Sequence, residues 1–327
     1  MRPMSICVLG GSGFLGTRLV CRLIKDGHRV TVLSRDREQH KHMLVLPGLA
    51  LENCDVYDPA ELAERFRGQD VVINLIGILN ERGFGGGGFR RAHTELTQGA
   101  LRAAKSAGVA RFLQMSALNA APDAPSHYLR SKGAAERLLH ESGSSPGWTI
   151  FQPSVIFGPG DSFLNRFVSL LAAVPWVFPL AKPRARLQPV YIDDVVEAMV
   201  RCLARADSIG RTYQLGGPRD YSLRDIVAWL AALTGRRRLI IGLPDFVSRL
   251  QALVMDFVPG RPFSTDNYRS LGIDSVCTSD GLAALGIAPQ SMESAAALYL
   301  GAFEDNARLS RCRAAAGRAG RTGPGRP

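Results

Sequence analysis

The sequence predicts an α/β fold: a doubly wound parallel sheet of the Rossmann type with a smaller, C-terminal substrate-side lobe. Three observations carry this. The chain opens with an apolar run, Ile6 to Leu9, that stops at glycines and passes into a segment of helical apolar spacing. Strand-like and helix-like segments then alternate to about residue 157, at the interval of βαβ units. A length of 327 residues accommodates one large domain and a smaller one.

The opening motif, residues 6–16, reads ICVLGGSGFLG. In a strand–turn–helix setting each glycine has a task. Gly10 allows the tight turn, Gly13 lets backbone N–H groups approach a pyrophosphate, and Gly16 lets helix and strand pack closely. The anion would sit at the helix N-terminus, where unpaired N–H groups and the dipole favour negative charge. Ser12, Phe14 and Leu15 fill the rest of that turn and join the candidate contacts.

The second strand covers 28–33 and runs into Ser34-Arg35-Asp36. At this place an acid takes the ribose 2′-OH of NAD, whereas an arginine accepts the 2′-phosphate of NADP. Ser34 and Arg35 favour NADP(H); Asp36 leaves NAD(H) as the alternative. A third strand, 49–54, ends at Asp55 and Val56, and Asp58-Pro59-Ala60-Glu61 is a helix start. The apolar strand 71–76 brings Leu75, Ile76 and Gly77 to the same edge. Residues 83–88 form a glycine-rich loop, 91–106 a helix, and 111–115 a strand closed by Ser116. A helix follows over 126–140, then a strand over 149–153 leading through Pro153 and Val155 into SVIFGPGD. Beyond it the pattern loosens: helical 163–174, extended 187–192, helical 194–203, a short strand 212–215, and helices to about Leu233 and over 246–257.

These elements divide the chain into a dinucleotide-binding domain, 1–157 and 186–217, and a lobe, 158–185 and 218–305. Residues 306–327 are Arg/Ala/Gly without apolar periodicity and read as a basic disordered tail. Six of the arginines lie there, so the formal charge of +11 leaves the body at about +5, too little for a nucleic-acid footprint. Six scattered cysteines without a CxxC pair argue for a reducing compartment and against a zinc site. With no leader before the first strand, the expectation is a cytoplasmic protein. The apolar run 167–181 is too short to span a bilayer and reads as a buried loop or pocket wall.

Chemistry centres on Tyr128 and Lys132, four apart on one helix face. An adjacent ammonium would lower the phenol pKa and make Tyr128 a general acid or base. Lys132 would also reach the nicotinamide ribose, and Ser116 would polarise a carbonyl or hydroxyl. His40-Lys41-His42 lacks a Cys or acid partner and reads as a solvated turn, so no metal is expected.

GGSGFLG, the DVYD stretch at Asp55, Asn74 to Gly77, Ser116, YLRSK and PSVIFGPGD stand in the order of the short-chain dehydrogenase/reductase superfamily. The sequence resembles its extended and atypical branches, and most of all the branch holding the nucleotide-binding accessory subunit of mitochondrial complex I and its bacterial relatives. MSALNA, FGPGDSFLNRF and PVYIDDVVEA carry that similarity, which runs to about residue 303. The resemblance implies pyrophosphate on Gly10, Gly13 and Gly16, the 2′-phosphate on Arg35, adenine on Asp55, and Tyr128/Lys132 as the active pair. It implies that the FGPGD turn closes over the nicotinamide end. Two functions follow from it: an NADP(H)-dependent oxidoreductase acting on a quinone-like or lipid-like small molecule, or a non-catalytic, nucleotide-stabilised accessory or assembly factor of a respiratory or ubiquinone-biosynthesis complex. The second would place the protein peripherally on the inner membrane.

Overall fold

The computed structural model describes residues 2–81, 83–236, 238–258 and 263–300; the tail expected at 306–327 lies outside the described residues. Strands β1 (Ser5–Leu9), β2 (Arg29–Ser34), β3 (Leu49–Asn53), β4 (Val71–Asn74), β5 (Arg111–Met115) and β6 (Gly147–Pro153) build the main sheet. The short strands β7 (Ile156–Phe157), β8 (Val177–Leu180), β9 (Arg186–Leu187) and β10 (Val190–Tyr191) lie outside it, and β11 (Arg211–Leu215) completes it. The order is β11-β6-β5-β4-β1-β2-β3, every pair parallel. The order reverses between β1 and β4, which opens a crevice at the carboxyl ends of those strands.

Both faces of the sheet interior are covered, which is why the central strands β1 and β4 are almost wholly apolar and buried. Ile6 and Val8 of β1 pack toward α1 (Phe14–Lys25), while Cys7 and Leu9 pack toward the opposite layer. That layer contains α2 (Pro59–Phe66) and, after the single turn α3 (Gly87–Phe89), α4 (Leu96–Ser106) and α5 (His127–Glu141). α2 starts where the sequence signals it: Asp58 Oδ1 accepts from Ala60 N at 2.9 Å, with Pro59 in the first turn. The continuous helix expected over 91–106 is instead a π turn, Arg90–Glu95, feeding α4. The wider turn carries the buried His93.

The lobe has a separate core. Leu164 and Leu171 of α6 (Leu164–Ala173) meet Leu230 of a later helix and Leu300 near the end of the described chain. α7 (Ile192–Ala204) returns to the sheet beside α1. The rest of the lobe comprises β12 (Tyr221–Ser222), α8 (Leu223–Leu233), β13 (Leu239–Gly242), α9 (Asp245–Met255), α10 (Thr265–Ser270), α11 (Gly281–Ala284) and α12 (Met292–Leu300). β13 pairs in parallel with β8.

Three placements differ from the sequence reading. Leu282, Leu285 and Ile287 belong to the core of the main sheet, although they fall in the stretch assigned to the lobe. β11 is an edge strand, and α11 covers it: Gly281 packs on the Gln214 backbone, while Gln214 Oε1 accepts from Thr278 N (2.8 Å) and Ser279 N (3.1 Å). The run 167–181 is not wholly buried, since Trp176 and Val177 are exposed at the start of β8. The helix over 246–257 turns most of its apolar residues outward, so it lines neither core nor pocket.

Candidate active site

The crevice between β1 and β4 is built by backbone geometry. Gly10 has φ +76°, a conformation that favours glycine, and its N-terminal turn closes through Gly13 N to Gly10 O at 3.1 Å. A Cβ on Gly10 would lie 3.1 Å from Ile76 N, so the two strand ends touch across the switch point. A Cβ on Gly16 would lie 2.6 Å from Gly11 Cα and run into Gly10 O. Gly16 therefore meets a packing demand of the turn itself. Gly13 does not: its Cβ would meet only Gly10 O, at 3.3 Å, and the residue is exposed. What glycine provides at that place is open access to the α1 N-terminus. No side chain caps that end, and its first turn contains no acid. Ser12 and Phe14 are half-buried beside it, and Leu15 packs into the core. The turn thus offers uncapped N–H groups and a dipole to an anion.

At the far end of the crevice, a cleft of about 570 Å³ is lined by Arg35, Asp55, Tyr57 and Arg91, among others. The Arg91 guanidinium lies over the Tyr57 ring, 4.5 Å from its centroid. Among the described residues, neither Arg35 nor Arg91 has a carboxylate within ion-pair distance. Asp36 is committed elsewhere: Oδ1 accepts from Glu38 N (3.0 Å) and Oδ2 from Gln39 Nε2 (2.9 Å). Ser34 is buried, its hydroxyl folded onto the backbone of Asp36. Asp55 Oδ1 accepts from Tyr57 N at 3.0 Å, and Val56 is core. Arg91 and Tyr57 carry no local signal in sequence; the crossover from β4 brings the first to the second.

The catalytic candidates converge at the ends of β4, β5 and β6. Lys132 is buried, and its Nζ donates to Met115 O (3.0 Å) at the end of β5. A Cβ on Gly77 would sit 3.3 Å from the same Nζ, so the ammonium lies against the chain just after β4. The turn there is held by Asn74, whose Oδ1 accepts from Ile76 N (3.1 Å) and whose Nδ2 donates to Gln114 Oε1 (3.0 Å). Burial lowers the Lys132 pKa to about 8, with the neighbouring Glu136 pulling the other way. Ser116 is buried beside β6, where its N–H bonds Phe151 O (2.8 Å); among the described residues its hydroxyl has no partner at hydrogen-bond geometry, but it lies close enough to the Glu136 carboxylate to hold that pKa down against burial. Pro153 O accepts from Leu118 N (2.9 Å) and Val155 O from Val190 N (2.9 Å), which fixes the end of β6.

Tyr128 departs from the sequence reading in its ionisation. Burial, and then the Asp266 carboxylate, push the phenol up to about 12. The apolar surroundings disfavour the phenolate, and Asp266 sits close because it caps α5, accepting from His127 N (2.7 Å) and Tyr128 N (3.1 Å). The ring packs edge-on against His93, centroids 5.5 Å apart, and against Phe89 at 6.0 Å. His93 was not singled out in the sequence, yet it ties the site together. Its Nε2 accepts from Ile78 N (3.0 Å), which assigns the proton to Nδ1, and Nδ1–H then donates to Ser131 Oγ (2.7 Å). Ser131 passes the chain on to Tyr128 O at 2.7 Å. Burial, reinforced by Lys132, lowers the His93 pKa to about 2, so the ring is neutral.

The FGPGD turn lies at the other wall. A Cβ on Gly158 would stand 2.5 Å from Ile192 Cγ2 and 3.5 Å from the Phe14 ring. Asp161 fastens the turn by accepting from Phe163 N (2.8 Å) and from Tyr299 OH (3.0 Å) on α12.

A seven-stranded parallel sheet whose switch point presents an uncapped helix N-terminus, with a cleft beyond that holds two guanidinium groups, defines a Rossmann-type dinucleotide-binding protein. The chain belongs to the NAD dependent epimerase/dehydratase family, whose model matches residues 6–216. It is 32% identical over 299 residues to the mouse NADH dehydrogenase [ubiquinone] 1 alpha subcomplex subunit 9, mitochondrial (Mus musculus), covering 88% of this chain and 77% of the relative. It is 30% identical over 241 residues to a ceramide reductase of Caulobacter vibrioides, covering 73% and 74% of the two chains. The fold matches the Escherichia coli NADPH-dependent quinone oxidoreductase QOR2 complexed with NADPH, with a TM-score of 0.72 and 19% identity over 90% of this chain and 99% of that one.

Proposed function

We propose that the chain is an NADPH-dependent reductase of an apolar carbonyl or quinone substrate. The observation that carries the cofactor preference is the cleft of Arg35 and Arg91, two guanidinium groups that have no carboxylate at ion-pair distance among the described residues, where the Asp36 carboxylate is already engaged by Glu38 N and the Gln39 amide. Phosphate is the ligand such a pair recognises. NADPH, when bound, supplies the hydride; the chain supplies position and a proton. Gly13 and the α1 N-terminus would receive the diphosphate, and Lys132, held by Met115 O, retains donors that would reach the ribose. The buried Ser116 hydroxyl orients the substrate oxygen. Tyr128 OH would donate the proton that the reduced substrate oxygen takes up, and solvent would later restore it. A phenol pushed up to about 12 is protonated at neutral pH, the state a donor needs. The ceramide reductase relative supports a lipid-sized substrate.

A second reading, a nucleotide-stabilised accessory subunit of a respiratory complex, is favoured by the similarity to the mitochondrial subunit over 88% of this chain. The same variant separates the two. NADPH oxidation by purified protein is followed against a panel of ketones, ceramide-like ketolipids and quinones. Tyr128→Phe should lower turnover by about 10²–10⁴-fold while leaving nucleotide affinity unchanged. Absence of turnover on the whole panel, with tight nucleotide binding retained in Tyr128→Phe, would leave the accessory reading standing.

A further inference from the structure

The outward face of the lobe inverts the usual polarity of a surface element. α9 buries only Ser248 and Ala252. Ser248 Oγ donates to Leu243 O (3.3 Å), and Gln251 Nε2 donates to Pro179 O (3.4 Å) on β8. Its outward positions hold Phe246, Leu250, Leu253 and Val254, followed by Phe257; Phe246 is 78% exposed and Phe257 74%. The ribbon beside it behaves alike. Phe178 and Leu180 of β8 face the lobe core, whereas Val177, Leu239 and Ile241 face out, and the adjoining Trp176 is 81% exposed. A strand pair with one solvated face ordinarily alternates apolar and polar residues; this one is apolar on both faces. Leu243 N to Leu180 O (2.9 Å) and the Gln251 contact join ribbon and helix into one surface. An apolar surface of this extent marks an interaction site.

Charge selects the occupant. The acids of α9 and its C-cap are engaged: Asp245 with Lys182 (2.5 Å) and Tyr268 OH (2.7 Å), and the buried Asp256 with the Thr265 hydroxyl (2.5 Å). Arg249 stands exposed on the same helix with no carboxylate at ion-pair distance among the described residues. At the end of β13, Gly242 borders a cleft of about 700 Å³ that holds Arg184, Arg186, Arg219 and Arg224 against the two acids Asp220 and Asp225. Arg186 pairs with Asp220 and Arg219 with Glu293; Arg184 and Arg224 have no such partner among the described residues. Tryptophan and phenylalanine rimmed by arginine is the composition of an element lying in a bilayer interface. A two-fold contact with a second copy would instead set this cationic rim near itself. No helix among the described residues is long and apolar enough to cross a membrane, so the contact is peripheral.

We propose that this face docks on an anionic phospholipid bilayer, α9 and Trp176 entering the headgroup boundary while Arg249 and the arginine cleft meet lipid phosphates. The proposal is independent of turnover, because its readout is binding.

Full-length protein is floated with vesicles of phosphatidylcholine alone and of phosphatidylcholine mixed with phosphatidylglycerol. Flotation should occur with the mixed vesicles, weaken with salt and be lost in Phe246→Ser/Phe257→Ser/Trp176→Ser. Arg249→Ala should weaken partitioning by about fivefold, the share of one cation near a charged surface. An unchanged NADPH affinity certifies that each variant is folded. No flotation of wild type, equal flotation with both vesicle types, or a wild-type dimer that the triple variant converts to monomer would each overturn the assignment.

Discussion

The dinucleotide half and the lobe solve the same burial problem in opposite ways. In the first, every strand of the sheet interior is covered on both faces, and Cys7, Val8 and Leu9 in consecutive positions are all buried. In the second, the β8–β13 ribbon and α9 cover one face and leave apolar side chains on the other. The difference teaches that equal apolarity does not mean equal contribution to stability. A residue in the first half is held by contacts on all sides, whereas one on the outer lobe face loses little from the folded monomer when replaced.

That contrast breaks most readily at Gly16. Its Cβ would meet the Gly10–Gly11 backbone, which has no flexible end to give way, so Gly16→Leu should cost about 3 kcal/mol or more, and nucleotide binding with it. Urea unfolding and nucleotide titration read both losses; a stable, binding-competent variant would show that the turn is less tightly packed than described.

Arg35→Ala tests the far end of the same half. Loss of a charge-assisted contact to phosphate, worth about 1.5–3 kcal/mol, should weaken NADPH by about ten- to a hundredfold and leave NADH unaffected. Arg91→Ala should act in the same direction. If NADH binds wild type more tightly than NADPH, the arginines serve another purpose.

His93 sharpens the comparison through pH. Its folded pKa, about 2, lies below the ordinary 6.5, so its contribution is fully present above pH 6.5 and is lost as pH falls. Stability should drop by about 1.4 kcal/mol per pH unit just below that point. The buried His28 is also depressed, by burial, and adds to the slope. Urea midpoints of wild type and His93→Gln between neutral pH and pH 5 isolate the His93 share; parallel curves would mean the ring is not buried neutral.

The smallest effect belongs to the lobe. Leu250→Ser, on the outer face of α9, should change monomer stability by no more than about 0.5 kcal/mol. A loss comparable to a core truncation would show that this face is covered.

Much of the fold was legible because its signals are local. Residues 6–16 carry strand, turn and helix in one stretch, and Asp58-Pro59 marks its helix start without outside help. Helical spacing predicts that Tyr128 and Lys132 share a face, since residues four apart do. The ionisation of Tyr128 was not legible: spacing predicts a cation that lowers the phenol pKa, whereas desolvation and Asp266, more than a hundred positions later in the chain, push it upward.

What the sequence by itself determined is therefore the class of the protein: the parallel sheet, the glycine turn at the start of α1, and the helix that carries Tyr128 and Lys132. Periodicity, glycine and capping are properties of a few adjacent residues, and they act before the chain is folded. The tertiary structure alone decided the rest. It placed Arg91 over Tyr57, threaded His93 between Ile78 and Ser131, returned residues 282–287 to the main core, and turned the apolar residues of α9 outward. Each of these depends on which surfaces meet. An amphipathic pattern states that a helix has an apolar side, and only the packing of the whole chain determines whether that side faces the core or the outside.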